Sequence, residues 1–229
     1  MDCPDPRHLV EVDPSVSPLG ITIAAATYCL TTNMVSGGED PFSLEVKRLI
    51  EELKNKYTLE TLKDDPVVKA YRKFYWRIGI DPTKTRPSSE ALVRRALRGR
   101  FPRINPIVNA GNIASARHMV PIGLYDIDKF TPPARLTLSR GGEKFHAIGG
   151  KDEVLPPNIP ILVDAKGVVM HLYPHRDSRL TMITENTTKL LAIAAGVPGV
   201  PIKRLTDSLR ELEKLLSVIG FKIKEIIII

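Results

Sequence analysis

Three features of this sequence predict a mixed α/β (α+β) domain, with a helix-rich first half, then a mixed sheet and a C-terminal helix. Helix-opening signatures recur early, at Asp40-Pro41, Asp65-Pro66 and Ser88. After Asn105, short apolar segments alternate with Gly-Gly and Pro-Pro breaks. Near the end, Leu205, Leu209, Leu212, Leu216 and Ile219 form one stripe at helical spacing. At 229 residues the chain can bury one sizeable core, so residues 1–229 are expected to form a single domain.

Taken in order, His8–Val12 and Leu19–Tyr28 read as strands, the second so apolar that it belongs in the middle of a sheet. Asp40 supplies a cap oxygen and Pro41 takes the first helical position, opening a helix to about Tyr57. Asp65-Pro66 repeats the device for a helix that stops at Gly79. Ser88 is expected to cap a third, running to Arg98 with Gly99 beyond it. Arg135–Arg140, Lys144–Ile148, Pro160–Val163 and Val168–Tyr173 read as strands. A helix is expected around Glu185–Ala195 and a longer one over Ile202–Ile219. Phe221–Ile229 closes the chain as a strand, because its run of isoleucines needs pairing and burial to stay soluble.

Composition narrows the setting. The hydrophobic share, 43%, is ordinary for a globular protein and excludes a disordered chain. The apolar run Leu19–Leu30 is too short to span a bilayer, and acids precede it rather than the cations of a secretory leader. No membrane is expected as a partner. Cys3 and Cys29 are the only cysteines, and with Cys3 near a loose end they point to a reducing, cytoplasmic setting without a disulfide framework. Abundant Ile, Lys, Glu and Arg also fit a hot habitat, where charge networks compete with a nucleic-acid partner as the explanation for surface charge.

The charge is unevenly spread. Lys69 to Asn105 holds eleven Lys and Arg against Asp81 and Glu90, a local net of +9 in a chain of net +7. A polyanion partner leaves such a footprint. On the helix from Pro66, Val67, Val68, Tyr71, Phe74, Tyr75 and Ile78 share one arc. Trp76 lies outside it, among Lys69, Arg72 and Lys73, placed either to stack on a base or to pack against a neighbouring element. On the next helix Arg94, Arg95 and Arg98 oppose the apolar face. Lys84 and Arg86 lie in the proline-stiffened link between the two helices, where the same residues suit either phosphate contact or plain turn-building. Further on, the segment from Ile104 gathers asparagines, Gly111 and Ser115 among apolar residues, the make-up of a small-molecule pocket.

Together these residues resemble the B3/B4 domain of the phenylalanyl-tRNA synthetase beta subunit, in a freestanding form. The resemblance rests on Y-R-x-x-Y-x-x-x-G-I-D-P-T-K-T-R-P-S-S-E-A-L-x-R-R from Tyr71 and I-N-P-I-V-N-x-x-N from Ile104. P-I-G-L-Y-D-I-D-K from Pro121 and R-D-S-x-x-T from Arg176 complete it, with the match strongest over residues 64–190. It implies an α/β domain whose pocket takes the aminoacylated 3′ end of tRNA and clears a wrong amino acid by ester hydrolysis. The bacterial pattern V-V-D-x-T-N is replaced here by Ile107 to Asn112, and a pocket His by Gly123, while the following acid is kept as Asp126. Tyrosine specificity and the family's water-positioning groups therefore do not carry over. Nothing resembles the catalytic module of a synthetase, so amino-acid activation is not expected.

Ester hydrolysis needs positioning and water access more than a strong nucleophile. Asn109, Asn112, Asp177 and His175 are the candidate catalytic groups, the asparagines binding the aminoacyl group or water and Asp177 the substrate ammonium. Arg176 or Arg86 would hold a phosphate or carbonyl oxygen. Gly111, Ser115, Gly123, Tyr125, Asp126, Arg176 and Ser178 are the candidate substrate-binding residues. Arg72, Lys73, Trp76, Lys84, Arg86, Arg94, Arg95 and Arg98 are the candidate tRNA contacts. Equally, both asparagines suit turn caps, and Arg176 with Asp177 suits an internal ion pair. His171, His175 and Asp177 share parity but lack a fourth ligand, so no metal is expected. No P-loop, dinucleotide fingerprint or nucleophile elbow occurs, so no cofactor is expected. The expected function is trans-acting editing of misacylated tRNA. The alternatives are a non-catalytic tRNA-binding module and an amino-acid-binding or hydrolytic protein without an RNA partner.

Overall fold

The computed structural model describes residues 3–31 and 40–229. Its strands are β1 (Val10–Val12), β2 (Thr22–Leu30), β3 (Ile122–Asp126), β4 (Ala134–Leu138), β5 (Lys144–His146), β6 (Asp152–Val154), β7 (Pro160–Val163), β8 (Val169–Leu172), β9 (Arg176–Asp177), β10 (Lys189–Gly196) and β11 (Phe221–Ile228). Its helices are α1 (Ser43–Lys56), α2 (Pro66–Arg77), α3 (Ser88–Leu97), α4 (Pro106–His118) and α5 (Ile202–Val218).

The strands form two larger sheets and a hairpin. One sheet runs β11-β2-β10-β3 and is antiparallel throughout; the other runs β1-β4-β7-β8-β9 with only β1 and β4 parallel. β2 and β10 are the centre of the first sheet and are almost wholly buried. Alternation sorts their side chains. Tyr28 faces the helices, where its hydroxyl donates to the Leu209 carbonyl of α5 at 2.7 Å. Ile23, Ile193 and Ala195 face the five-stranded sheet together with Leu136 and Leu162. The result is three layers: helices, four-stranded sheet, five-stranded sheet. The β5–β6 hairpin adds a small core of its own, with Phe145, Ala147 and Leu155 against Ile161, Val169 and Leu172.

Side-chain caps explain where α2 and α4 begin, Asn105 accepting from the Val108 amide at the start of α4. Asp65 accepts from the Val67 and Val68 amides at the start of α2, and Gly79 follows the helix at φ 75°. Asp40 does accept from the Phe42 amide, but it builds a turn, so α1 begins at Ser43. Ser88 is the first residue of α3 rather than its cap, with Pro87 in the cap position and no side-chain bond there.

Three expectations are corrected. The segment Glu185–Ala195 is not a helix: Lys189–Gly196 is the central strand β10. A fully buried strand shows a continuous apolar run, which periodicity alone does not separate from a buried helix. Conversely, α4 was not anticipated, because buried Asn109, Gly111 and Ser115 interrupt its apolar pattern. Finally, Cys3 and Cys29 form a disulfide, with Cα atoms 5.7 Å apart. The N-terminal segment is also tied down by Thr27, whose hydroxyl donates to the Pro4 carbonyl at 2.6 Å. β11 does pair with β2, yet as an edge strand it leaves Ile228 and Ile229 partly exposed. No described helix is long and apolar enough to cross a membrane.

Candidate functional site

Where the two sheets face each other, β3, β8 and β9 bring a polar cluster into an apolar seam. β8 and β9 are antiparallel partners, and their register sets His171 directly opposite Asp177. His171 Nδ1 lies 2.8 Å from Asp177 Oδ1. The sequence suggested that His171, His175 and Asp177 project from one extended segment; instead a turn at Tyr173–His175 folds it back, so the dyad is a cross-strand pair. The imidazole is buried at 8% exposure while the carboxylate is 33% exposed. Tyr125 and Tyr173 flank the ring edge-on, with centroids at 6.3 and 6.1 Å. Burial, reinforced by the negative charge of the nearby Asp177 carboxylate, holds the Tyr125 phenol well above its ordinary pKa. It is therefore a proton donor at neutral pH.

These side chains border a cavity of ≈ 10 Å³, about the space of one water molecule. Its other walls are apolar: Ile23, Leu136, Leu162, Ile193 and Ala195. Gly123 does not leave an open pocket, because the Tyr125 hydroxyl fills the place of the missing side chain and would overlap any Cβ there. Gly111 likewise serves packing: a Cβ would lie 2.6 Å from Leu124 Cδ1, so the glycine lets α4 settle onto β3.

Several candidate residues have other duties. Both polar ends of Asn109 are used within the protein, Oδ1 accepting from the Ile104 amide at 2.8 Å and Nδ2 donating to Asp40 at 3.1 Å. It ties the start of α4 to the entry of α1, and a substrate contact is dropped. Ser115 closes α4, its hydroxyl donating to the Val120 carbonyl at 2.7 Å. Asp126 accepts from the Asp128 amide and from Thr187 Oγ1 at 2.7 Å, and so shapes the exit from β3. Ser178 is fully buried, its hydroxyl accepting from the Leu180 amide. Arg176 pairs with Glu153 at 2.7 Å and lies over the Phe145 ring, away from Asp177's role. Asn112 is half-buried on α4, and its side chain makes no hydrogen bond with the described residues.

His175 stands apart from the dyad. Its ring meets Tyr75 edge-on at 5.7 Å, and its Nδ1 is buried without a partner among the described residues, as is the Tyr75 hydroxyl. Burial first, then the neighbouring His171 and Arg176, pushes its pKa down to about 3, so it is neutral at working pH. Of these two histidines, His171 is the one with an orienting carboxylate; His146 has one too, Asp152 at 2.8 Å, but lies on the β5–β6 hairpin. The signal was present in the six-residue spacing of His171 and Asp177, but only the hairpin reveals it.

The basic stretch divides in two. Glu90, in the first turn of α3, is buried at 1% exposure and collects three arginines. Arg72 binds it through Nε at 2.9 Å and Nη2 at 2.5 Å, Arg94 through Nε at 2.8 Å, and Arg86 stands at 3.9 Å. The expectation that the two acids of this stretch leave its bases largely unpaired is corrected: one of them, buried Glu90, serves three arginines. Arg72 and Arg94 therefore have a structural duty. Lys73, Trp76, Lys84, Arg95 and Arg98 are exposed, and none of these cations forms an ion pair with a described residue. The turn carrying Lys84 is built by Asp81, which accepts from the Thr83 amide and hydroxyl.

Helices on a four-stranded sheet, a five-stranded sheet opposite and a dyad in the seam define an α/β domain with its polar site buried between two sheets. The chain belongs to the B3/4 domain family, whose model matches residues 70–214. Its fold is similar to the crystal structure of an N-terminal fragment of the phenylalanyl-tRNA synthetase beta-subunit from Pyrococcus horikoshii, with a TM-score of 0.51 and 17% identity. The likeness covers 94% of this chain and 50% of that one, so this chain spans half the length of that fragment. No curated protein matches the sequence.

Proposed function

We propose that this protein is a tRNA-directed domain that edits misacylated tRNA in trans, by hydrolysing the ester between amino acid and tRNA. The observation that supports this most is the Asp177–His171 dyad beside a water-sized cavity, in a fold of the B3/4 family. With Asp177 accepting from Nδ1, the Nε2 of His171 is the basic nitrogen, suited to take a proton from an attacking water. The protonated Tyr125 phenol suits the oxygen on which negative charge develops. The exposed side of Asp177 suits the substrate ammonium, and Asn112 the aminoacyl group. A cytoplasmic setting accompanies this reading. The Cys3–Cys29 bond and the ion network joining Arg117 to Glu45, Glu52 and Glu211 fit the intracellular proteins of hot habitats.

One observation favours a second reading, a tRNA-binding module without catalysis. At ≈ 10 Å³ the cavity does not admit an aminoacyl group unless Tyr125 or Tyr173 gives way. Deacylation of a panel of correctly and incorrectly charged tRNAs separates the two. Selective hydrolysis that is lost in His171→Gln and Asp177→Asn supports editing. Absence of hydrolysis, with tRNA binding intact, supports the module; absence of both leaves a small-molecule protein.

A further inference from the structure

The exposed face of α2 carries a second concavity, distinct from the cavity between the sheets. It is a groove of ≈ 760 Å³ between α2 and Pro198-Gly199, which follow β10. Residue 199 is glycine because the chain turns there at a φ of 91°, in the left-handed region; a Cβ on it would only touch that of Ala70, at 3.4 Å. The groove is open, and its size suits a nucleotide-sized ligand rather than a duplex.

Its lining combines two chemistries. Lys69, Lys73 and Arg77 are its cations, and among the described residues no acid lines it. Lys73 makes no ion pair with a described residue. Arg77 is fixed by the Pro18 and Leu19 carbonyls, neutral acceptors that leave its charge uncompensated. Lys69 reaches Asp64 at 3.4 Å, but both are more than half exposed, so the pair is weak. Among these cations stands Trp76, 60% exposed, a large apolar surface with no protein neighbour covering most of it. Cations that track phosphates, beside an uncovered indole on which a base can stack, are the two parts of a single-stranded nucleic-acid site. An apolar peptide would leave the three charges without partners, and a duplex would leave the indole without a base.

We propose that this groove binds an unpaired RNA end, with Trp76 as the stacking platform and Lys69, Lys73 and Arg77 as phosphate contacts. The inference rests on the tRNA reading above and locates where the single strand docks. Phe74 connects the two sites: it lines the groove and meets Tyr173, a wall of the inner cavity, edge-on at 6.3 Å. Two aromatic rings, Phe74 and then Tyr173, thus separate the groove from His171 of the dyad.

Trp76 is the chain's single tryptophan, so its emission reports on this groove alone. The experiment titrates the full chain with a labelled single-stranded oligoadenylate, a blunt RNA duplex and a proline-rich peptide, following both label anisotropy and Trp76 emission. Expected are saturable quenching by the single strand and affinity lowered roughly five- to hundredfold in Trp76→Ala. Lys73→Ala should flatten the log-affinity against log-salt slope by about 0.7. Trp76→Phe, which keeps a ring, should retain most of the binding. Anisotropy that rises while Trp76 emission and the Trp76→Ala affinity stay unchanged would overturn the groove and leave the tRNA reading standing. Equal quenching by duplex, or by peptide alone, would overturn the single-strand assignment. No binding of oligoadenylate or of whole tRNA would remove the tRNA reading together with the groove.

Discussion

Glu90→Gln tests the division of the basic stretch into structural and free arginines. The native carboxylate is 1% exposed and accepts from Arg72 and Arg94, with Arg86 at 3.9 Å. Glutamine keeps the shape but replaces one accepting oxygen with a donor that faces guanidinium donors. Breaking a buried ion pair costs about 3–5 kcal/mol. Arg72 and Arg94 are 22% and 15% exposed, so they regain some hydration and the lower end, about 3 kcal/mol, is expected. Urea denaturation should show the midpoint falling by about 1 M if the slope is near 3 kcal/mol/M. The pH dependence has a definite sign. Burial pushes the Glu90 carboxyl up, but Arg72 and Arg94 outweigh it and hold it below its ordinary 4.5. Its stabilisation is therefore present above pH ~4.5 and lost as pH falls through the depressed folded value, so the variant's deficit should shrink in acid. A loss below about 1 kcal/mol at neutral pH would refute this account and return Arg72 and Arg94 to the pool of free cations.

Three further outcomes follow from the same coordinates. Reducing Cys3–Cys29, which are 26 residues apart, should cost about 3.5 kcal/mol by loop-closure entropy; chemical denaturation with and without reductant checks it. His175, neutral because burial holds it near 3 instead of 6.5, contributes stability above pH ~6.5 that is lost as pH falls toward 3, at up to about 1.4 kcal/mol per pH unit. His175→Phe should remove that slope, as thermal melts across pH 4–7 would show. Gly123→Ala drives a methyl group into the Tyr125 hydroxyl and should cost about 1–3 kcal/mol. Gly111→Ala meets only the flexible end of Leu124 and should cost less, a ranking readable from melting temperatures.

Local chemistry was legible where a side chain acts on its own backbone. Asp65-Pro66 announced α2 and Gly79 its end, because cap and stop are short-range devices. The leucine stripe announced α5, since one apolar face repeats down its length. β10 was misread because a strand buried on both faces has no alternation to show. α4 was missed for the opposite reason: its buried side includes Asn109, Gly111 and Ser115, whose duties depend on Asp40, Leu124 and Val120, not on local pattern. The candidate site was legible in part. Asp177 and Tyr125 were found by type and motif, whereas the pairing of Asp177 with His171 depends on the register of β8 and β9. The arginines looked unpaired because one buried glutamate can serve three of them, and charge counting along a chain does not show that.

A partnership with tRNA is the central claim, and the salt dependence of tRNA binding tests it most directly. Each phosphate contact contributes about −0.7 to −0.9 to the slope of log affinity against log salt. The wild-type protein is predicted to show a steep negative slope, and Arg95→Ala with Arg98→Ala, exposed and without ion pairs among the described residues, should flatten it without loss of stability. A flat slope for the wild type, with the protein folded, would contradict the account.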